Sequence, residues 1–171
     1  MPIDIFAYLR KSDICKGCSD QEILDLHSYI EVLEMQGKEI LFKKGDFADA
    51  FYIIAKGTVE IRLLHGSHEE VIAQLTENSV LGEVGILTDQ MRSATAVVTQ
   101  PSVLLKISRS IFERLLAEGK PVAYKLVYQI AKILSYRLRQ MDEAMMKLTN
   151  HSGPSHEINQ LRAKLQADWP F

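Results

Sequence analysis

The chain has 171 residues, 47% hydrophobic and 25% charged, with a formal net charge of −2. That suits one compact core with an appendage rather than two full domains, and the near-neutral balance gives no general attraction to nucleic acid or anionic lipid. No segment reaches the roughly 18 consecutive apolar residues of a membrane span, and residues 1–10 lack the basic front and apolar centre of a secretion signal, so a cytoplasmic protein with no membrane partner is expected.

Residues 1–36 read as an N-terminal helical segment, helical from 2 to about 33. Ser19-Asp20-Gln21-Glu22 sets a capping serine three residues ahead of a glutamate, and Ile23, Leu24, Leu26, Ile30 and Leu33 follow at helical spacing. Cys15 and Cys18 form a C-x-x-C pair, a pattern found in half of a zinc site or in a redox couple. No second pair follows, and a redox role stays open without support.

From Lys38 to Ser108 the pattern changes to short apolar runs broken by Lys44-Gly45-Asp46, Lys56-Gly57, His65-Gly66-Ser67 and Glu77-Asn78. This predicts an antiparallel all-β array closing into a small barrel over 37–110. A His-x-x-His-Glu cluster, His65 and His68 with Glu69 and Glu70, would suit a metal-dependent cupin-like enzyme only if its ligands converged inside the barrel. Lying between Leu64 and Val71, these residues are expected at an exposed hairpin tip. No grouping of nucleophile, base and orienter is visible, so no catalytic residue, metal or cofactor is assigned.

The most informative stretch is Leu81-Gly82-Glu83-Val84-Gly85-Ile86-Leu87, followed by Met91-Arg92-Ser93-Ala94-Thr95-Ala96. Glycine lets backbone N–H groups approach a ligand, and a helical turn over 84–87 points further donors at an anion. Arginine forks two donors onto phosphate oxygens, whereas a carboxylate only accepts and suits a ligand hydroxyl. Glu83 for a ribose hydroxyl and Arg92 for a phosphate make a coherent pair, although a Glu and an Arg at this spacing also suit a plain salt bridge.

Residues 110–118 predict a helix stopped by Gly119, and Pro121 opens another that runs to about Leu148. On it Val127, Ala131, Leu134, Leu138, Met141, Met145 and Leu148 alternate spacings of four and three, a heptad seam. Leu126, Ile130 and Ile133 supply a separate apolar face for the barrel, so the seam predicts a parallel homodimer, with 111–149 as the C-terminal helical segment. In the 150–171 tail, Asn150 to Ser155 breaks the helix and residues 156–167 fit one short charged helix. The terminal Trp169 and Phe171 are expected to fold back on the barrel rather than dock another protein.

In order and spacing the chain from about Cys18 to Ser108 resembles the cyclic nucleotide-binding domain family. Ile40 to Asp46, Phe51 to Ile54 and Lys56 to Ile61 look like its paired strands with their glycine turns, and Gly82-Glu83 to Arg92-Ser93-Ala94-Thr95 looks like its phosphate-binding cassette. The resemblance implies a mainly β fold: an eight-stranded antiparallel β-barrel of jelly-roll type, with N-terminal helices and a long C-terminal dimerisation helix. For Cys15 and Cys18 it implies burial as small hydrophobes. It implies a cAMP or cGMP ligand, with Glu83 on the ribose 2′-hydroxyl, Arg92 on the cyclic phosphate, and Gly82, Val84, Ser93 and Ala94 beside them. Ile72 and Ala73 on the barrel wall, and Arg137 and Leu138 on the long helix, match positions that reach the purine in some members, where an arginine can stack on the base. Ser93 leans toward cAMP.

Met91 and Leu81 depart from the proline and phenylalanine common in the family and bear on pocket shape. In some members the long helix also forms the dimer interface and closes over the base, which implies a regulatory module acting on an unidentified downstream protein. In DNA-binding members a winged helix-turn-helix follows, for which Asn150 to Phe171 is too short, so no nucleic-acid partner is expected. Two other readings remain: a dimeric scaffold in which Glu83 and Arg92 pair with each other, and the cupin-like enzyme.

Overall fold

The computed structural model describes residues 3–65 and 68–152, with His65, Ala144, Met145 and 147–152 described by their backbone alone. It comprises two compact units, Met1–Ile130 and Ala131–Phe171. The first unit begins with α1 (Ile5–Lys11), where the Asp4 side chain accepts the Ala7 N–H at 3.0 Å, and a 3-10 turn (Asp13–Cys15) follows. The expected capping box opens α2 (Asp20–His27): Ser19 Oγ accepts the Glu22 N–H, and the Glu22 carboxylate accepts the Ser19 N–H.

Helix does not continue to residue 33 as the apolar spacing suggested. It ends at His27, and Glu31–Met35 is a strand, β1. Leu33 and Met35 turn inward onto the core while Glu31, Val32 and Glu34 are exposed, and the period of two wins because β8 (Ser102–Ser108) offers a full antiparallel ladder.

The remaining strands are β2 (Ile40–Phe42), β3 (Ala50–Lys56), β4 (Val59–His65), β5 (His68–Leu75), β6 (Val80–Leu81) and β7 (Thr95–Val98). Among the described residues there are eight strands, all antiparallel, as expected, but the barrel is not closed. They form two four-stranded sheets, β1-β8-β3-β6 and β2-β7-β4-β5, with no ladder between them. Side chains join the sheets instead. Ala50, Tyr52 and Ile54 of β3 meet Val59, Leu81, Ala96, Val98 and Leu104 in the inter-sheet core, with Phe42, Ile61 and Leu75 packed on it.

The alternate residues of β3 serve the other face. Phe51 meets Phe112 edge to face at 5.4 Å between ring centroids, and Phe112 belongs to α4 (Arg109–Ala117), capped by Ser108 Oγ accepting the Ile111 N–H. β3 is therefore buried from Ala50 to Ala55, each large side chain contributing about 1.5–3 kcal/mol. Between β6 and β7 lies the six-residue helix α3 (Glu83–Thr88).

The last helix, α5 (Pro121–Ser152), starts at the expected proline and continues past Leu148. Val122, Ala123, Leu126 and Ile130 are buried while Tyr124 and Tyr128 are exposed. Among the seam residues, Val127 and Leu134 are half-buried and Ala131, Leu138 and Met141 exposed. The side chains of Met145 and Leu148, and the tail from residue 153 with its expected helix and Trp169, lie outside the described residues.

Candidate functional site

Arg92 sits where the loop after β2 meets the strand entry to β7. Its backbone is held in register: Arg92 N–H donates to Asp46 O at 2.9 Å, and Gly45 N–H returns a bond to Arg92 O at 2.8 Å. The side chain turns inward and is buried. Nη1 donates to Gly82 O at 2.9 Å, and Nη2 donates to Ala50 O at 2.7 Å and Asp49 Oδ1 at 3.1 Å. The guanidinium carbon lies 4.3 Å from the Phe42 ring centroid and 5.8 Å from that of Tyr52, a cation–π seat of two rings stacked at 6.0 Å.

One donor is left over. Arg92 Nε is buried with no hydrogen-bond partner, and a buried N–H in that condition costs about 1–3 kcal/mol. An acceptor oxygen reaching it would relieve that cost, and a doubly accepting anion such as phosphate also matches the guanidinium charge.

Gly82 and Glu83 complete the cluster. Gly82 adopts the left-handed φ of +80° at the start of α3, and a Cβ there would stand 2.5 Å from Arg92 Nη1. Only glycine both turns the chain here and lets the guanidinium lie against the backbone. Glu83, the first residue of α3, is buried, where the helix N-terminus favours its negative charge. Val84 and Ser93 are exposed and Ala94 buried, so the cassette positions from Gly82 to Val84 and from Arg92 to Ala94 flank one locus.

The other sequence-assigned residues are placed differently. Ile72 is the extra residue of a β-bulge: Ile61 pairs with Ala73 and Arg62 with Val71, which leaves Ile72 unpaired and 52% exposed. Ala73 is exposed too. On the second unit Arg137 is half-buried and Leu138 exposed. His65 pairs with His68 at the end of the β4–β5 ladder, and among the described residues no group of three His, Cys, Asp or Glu side chains is placed to hold a metal ion. A groove of about 500 Å3 on the β2-β7-β4-β5 sheet is lined by Lys38, Glu60, Arg62 and Glu69. Its arginine is already bound to both glutamates.

Sequence reasoning missed two contributors. Asp49 is the carboxylate that pairs with Arg92. Arg109, at the start of α4, holds α3 in place: Nη2 donates to Gly85 O at 2.8 Å, Nε to Ala48 O at 2.8 Å, and Nη1 binds Asp89 and Glu113. Cations are favoured on helix C-terminal carbonyls, but Gly85 and Ala48 lie 24 and 61 residues upstream of Arg109, and no local pattern announces such contacts.

The sequence profile described as "Cyclic nucleotide-binding domain" matches residues 32–118, just over half of the chain. The chain is similar to the "Cyclic AMP receptor protein" of Thermus thermophilus, 32% identical over 136 residues, covering 78% of this chain and 61% of that protein. It is similar to the "cAMP-dependent protein kinase regulatory subunit" of Dictyostelium discoideum, 30% identical over 112 residues, covering 63% of this chain and 34% of that protein. It thus spans less than two thirds of either relative. Its fold is similar to the crystal structure of a cyclic nucleotide-binding domain from Methylobacillus flagellatus, with a TM-score of 0.74, 23% identity, and coverage of 85% of this chain and 82% of that one.

Proposed function

We propose that this chain, which belongs to the cyclic nucleotide-binding domain family, is a regulatory module that binds cAMP in preference to cGMP and passes the binding event to its C-terminal helix. The observation that carries this reading is the buried Arg92 guanidinium, fixed on two aromatic rings beside the α3 N-terminus with its Nε donor unfilled. In the bound state a cyclic phosphate oxygen takes that donor and displaces the exposed Asp49 carboxylate from Nη2. Glu83 accepts from the ribose 2′-hydroxyl, and Gly82, Val84, Ser93 and Ala94 line the phosphate and ribose.

The positions assigned to the base are Ile72 and Ala73 on the strands and Arg137 and Leu138 on the long helix, and the binding event is passed on by movement of the segment 131–141. Such movement follows only if the nucleotide binds one state of the helix better than the other. The exposed seam of α5, Ala131, Leu138 and Met141 with half-buried Val127 and Leu134, supports a homodimer whose surface changes with that movement and is read by a downstream protein. The role is binding rather than catalysis, and the preference for cAMP rests on Ser93 and on the likeness to the cyclic AMP receptor protein and the cAMP-dependent protein kinase regulatory subunit.

Equilibrium dialysis of the full chain against labelled cAMP and cGMP tests the reading. Saturable retention of one nucleotide per chain, tighter for cAMP, is expected. No retention of either by folded protein would overturn it in favour of a scaffold.

A further inference from the structure

Cys15 is buried as expected, but Cys18 is half-buried, and the two do more than fill space. The segment from Cys15 to Cys18 is a type II turn: Lys16 has φ −59° and ψ 125°, Gly17 supplies the left-handed φ of +86°, and Cys18 N–H donates to Cys15 O at 2.9 Å. Such a turn holds its first and fourth Cα atoms within about 7 Å, while a disulfide spans Cα separations of about 4.4–6.8 Å. A bridge here therefore asks for little backbone movement. The turn is fastened to α5. Gln129 Nε2 donates to Lys16 O at 3.1 Å, and Lys125 Nζ binds both Glu22 oxygens at 2.8 and 2.7 Å.

We propose that Cys15 and Cys18 form a reversible dithiol–disulfide pair, oxidised by a hydroperoxide, at the joint between the N-terminal segment and α5. Cys18 attacks. The hydrogen bond from Cys15 holds its thiol below the usual range with help from the Lys125 charge, against burial and Glu22, whereas Cys15 is pushed up by the same hydrogen bond and by burial. The Cys18 thiolate displaces hydroxide from hydrogen peroxide, giving a sulfenic acid and, once the hydroxide is protonated, water. The Cys15 sulfur then attacks the Cys18 sulfur, and its proton leaves with the sulfenic hydroxyl as a second water. Two thiols thus give two electrons to one peroxide.

The test treats the full chain with hydrogen peroxide, denatures it in iodoacetamide and maps the peptides by mass spectrometry. The expected result is a peptide holding both cysteines unalkylated and lighter by two hydrogen atoms, returned to two alkylated thiols by dithiothreitol. Cys18→Ser should leave Cys15 reduced, and Cys15→Ser should leave a sulfenic acid at Cys18 that dimedone captures. If Cys15→Ser fails to fold, the unaltered chain and Cys18→Ser decide the matter. Two alkylated thiols after peroxide, oxidation of Cys15 in Cys18→Ser, or bridges formed only between chains would overturn the proposal.

Discussion

Arg92 Nη2 donates to Asp49 Oδ1 at 3.1 Å, and the two side chains sit in opposite settings, the arginine 2% exposed and the carboxylate 60%. The cation is fixed in the core while its counter-charge stands in water. Asp49 is thus the exchangeable member of the pair, and Asp49→Asn should raise cAMP affinity by removing a competitor for the guanidinium. Because the Asp49 carboxylate is largely solvated, its hold on the guanidinium is worth no more than about 1 kcal/mol, and the gain should stay within about fivefold. Titration at low salt measures it, and a loss of affinity would mean that Asp49 orients Arg92 instead.

Arg109 ties α4 to α3 through the Gly85 carbonyl and to the loop before β3 through the Ala48 carbonyl. Arg109→Ala leaves those buried acceptors unmet and should destabilise the fold by about 1–3 kcal/mol. Urea denaturation reads that loss. Nucleotide affinity should fall as well, since α3 presents Glu83, and Arg109→Lys should recover only part of both because one ammonium cannot replace the fork.

The bond from Lys125, joined by the Ser19 N–H, holds the Glu22 carboxyl below the usual carboxylate range. Its folded pKa is depressed, so the stabilisation is full above the unfolded value of about 4.3 and is lost as pH falls through the folded value. Lys125 is partly exposed, which limits the effect to about 1 kcal/mol or less. Lys125→Met should lower the melting temperature at pH 7 and leave it unchanged at the acid end of that window. A Tm deficit that persists there would assign the loss to packing.

The cassette was legible because its chemistry is local: Gly82, Glu83 and Arg92 fall within one stretch of eleven residues, and the fold brings Arg92 Nη1 to the Gly82 carbonyl. The β character after residue 38 was legible as well, since Lys44-Gly45-Asp46, Lys56-Gly57, His65-Gly66-Ser67 and Glu77-Asn78 each break an apolar run, whereas β1 was hidden in a helical spacing. The split into two open sheets was not legible, because which strands share a ladder is decided between segments as distant as β1 and β8. Leu33 misled for a related reason, its spacing from Ile30 suiting a helix until the ladder with β8 took it. Ile72 shows the limit at the site: a bulge sets its direction, and no residue type at that position marks one.

The seam on α5 predicts association. Leu138 and Met141 are 47% and 68% exposed, so glutamate at either position burdens no core within the chain. Sedimentation velocity should show a dimer for the unaltered chain and a monomer for Leu138→Glu with Met141→Glu, at unchanged thermal stability of the sheets. A monomer before any substitution would remove the homodimer from the account.

Whether Arg92 holds the phosphate of a cyclic nucleotide is read by calorimetric titration of cAMP into the full chain, Arg92→Lys and Arg92→Ala. Saturable binding is expected, weakened in Arg92→Ala by about 2–5 kcal/mol, roughly 30- to several-thousandfold, because a buried anion loses its charge partner. Arg92→Lys, which keeps the charge without the fork, should fall between, and circular dichroism confirms that each variant is folded. Equal affinity in the unaltered chain and a folded Arg92→Ala, or no heat from the unaltered chain cleared of bound nucleotide, would contradict that role of Arg92.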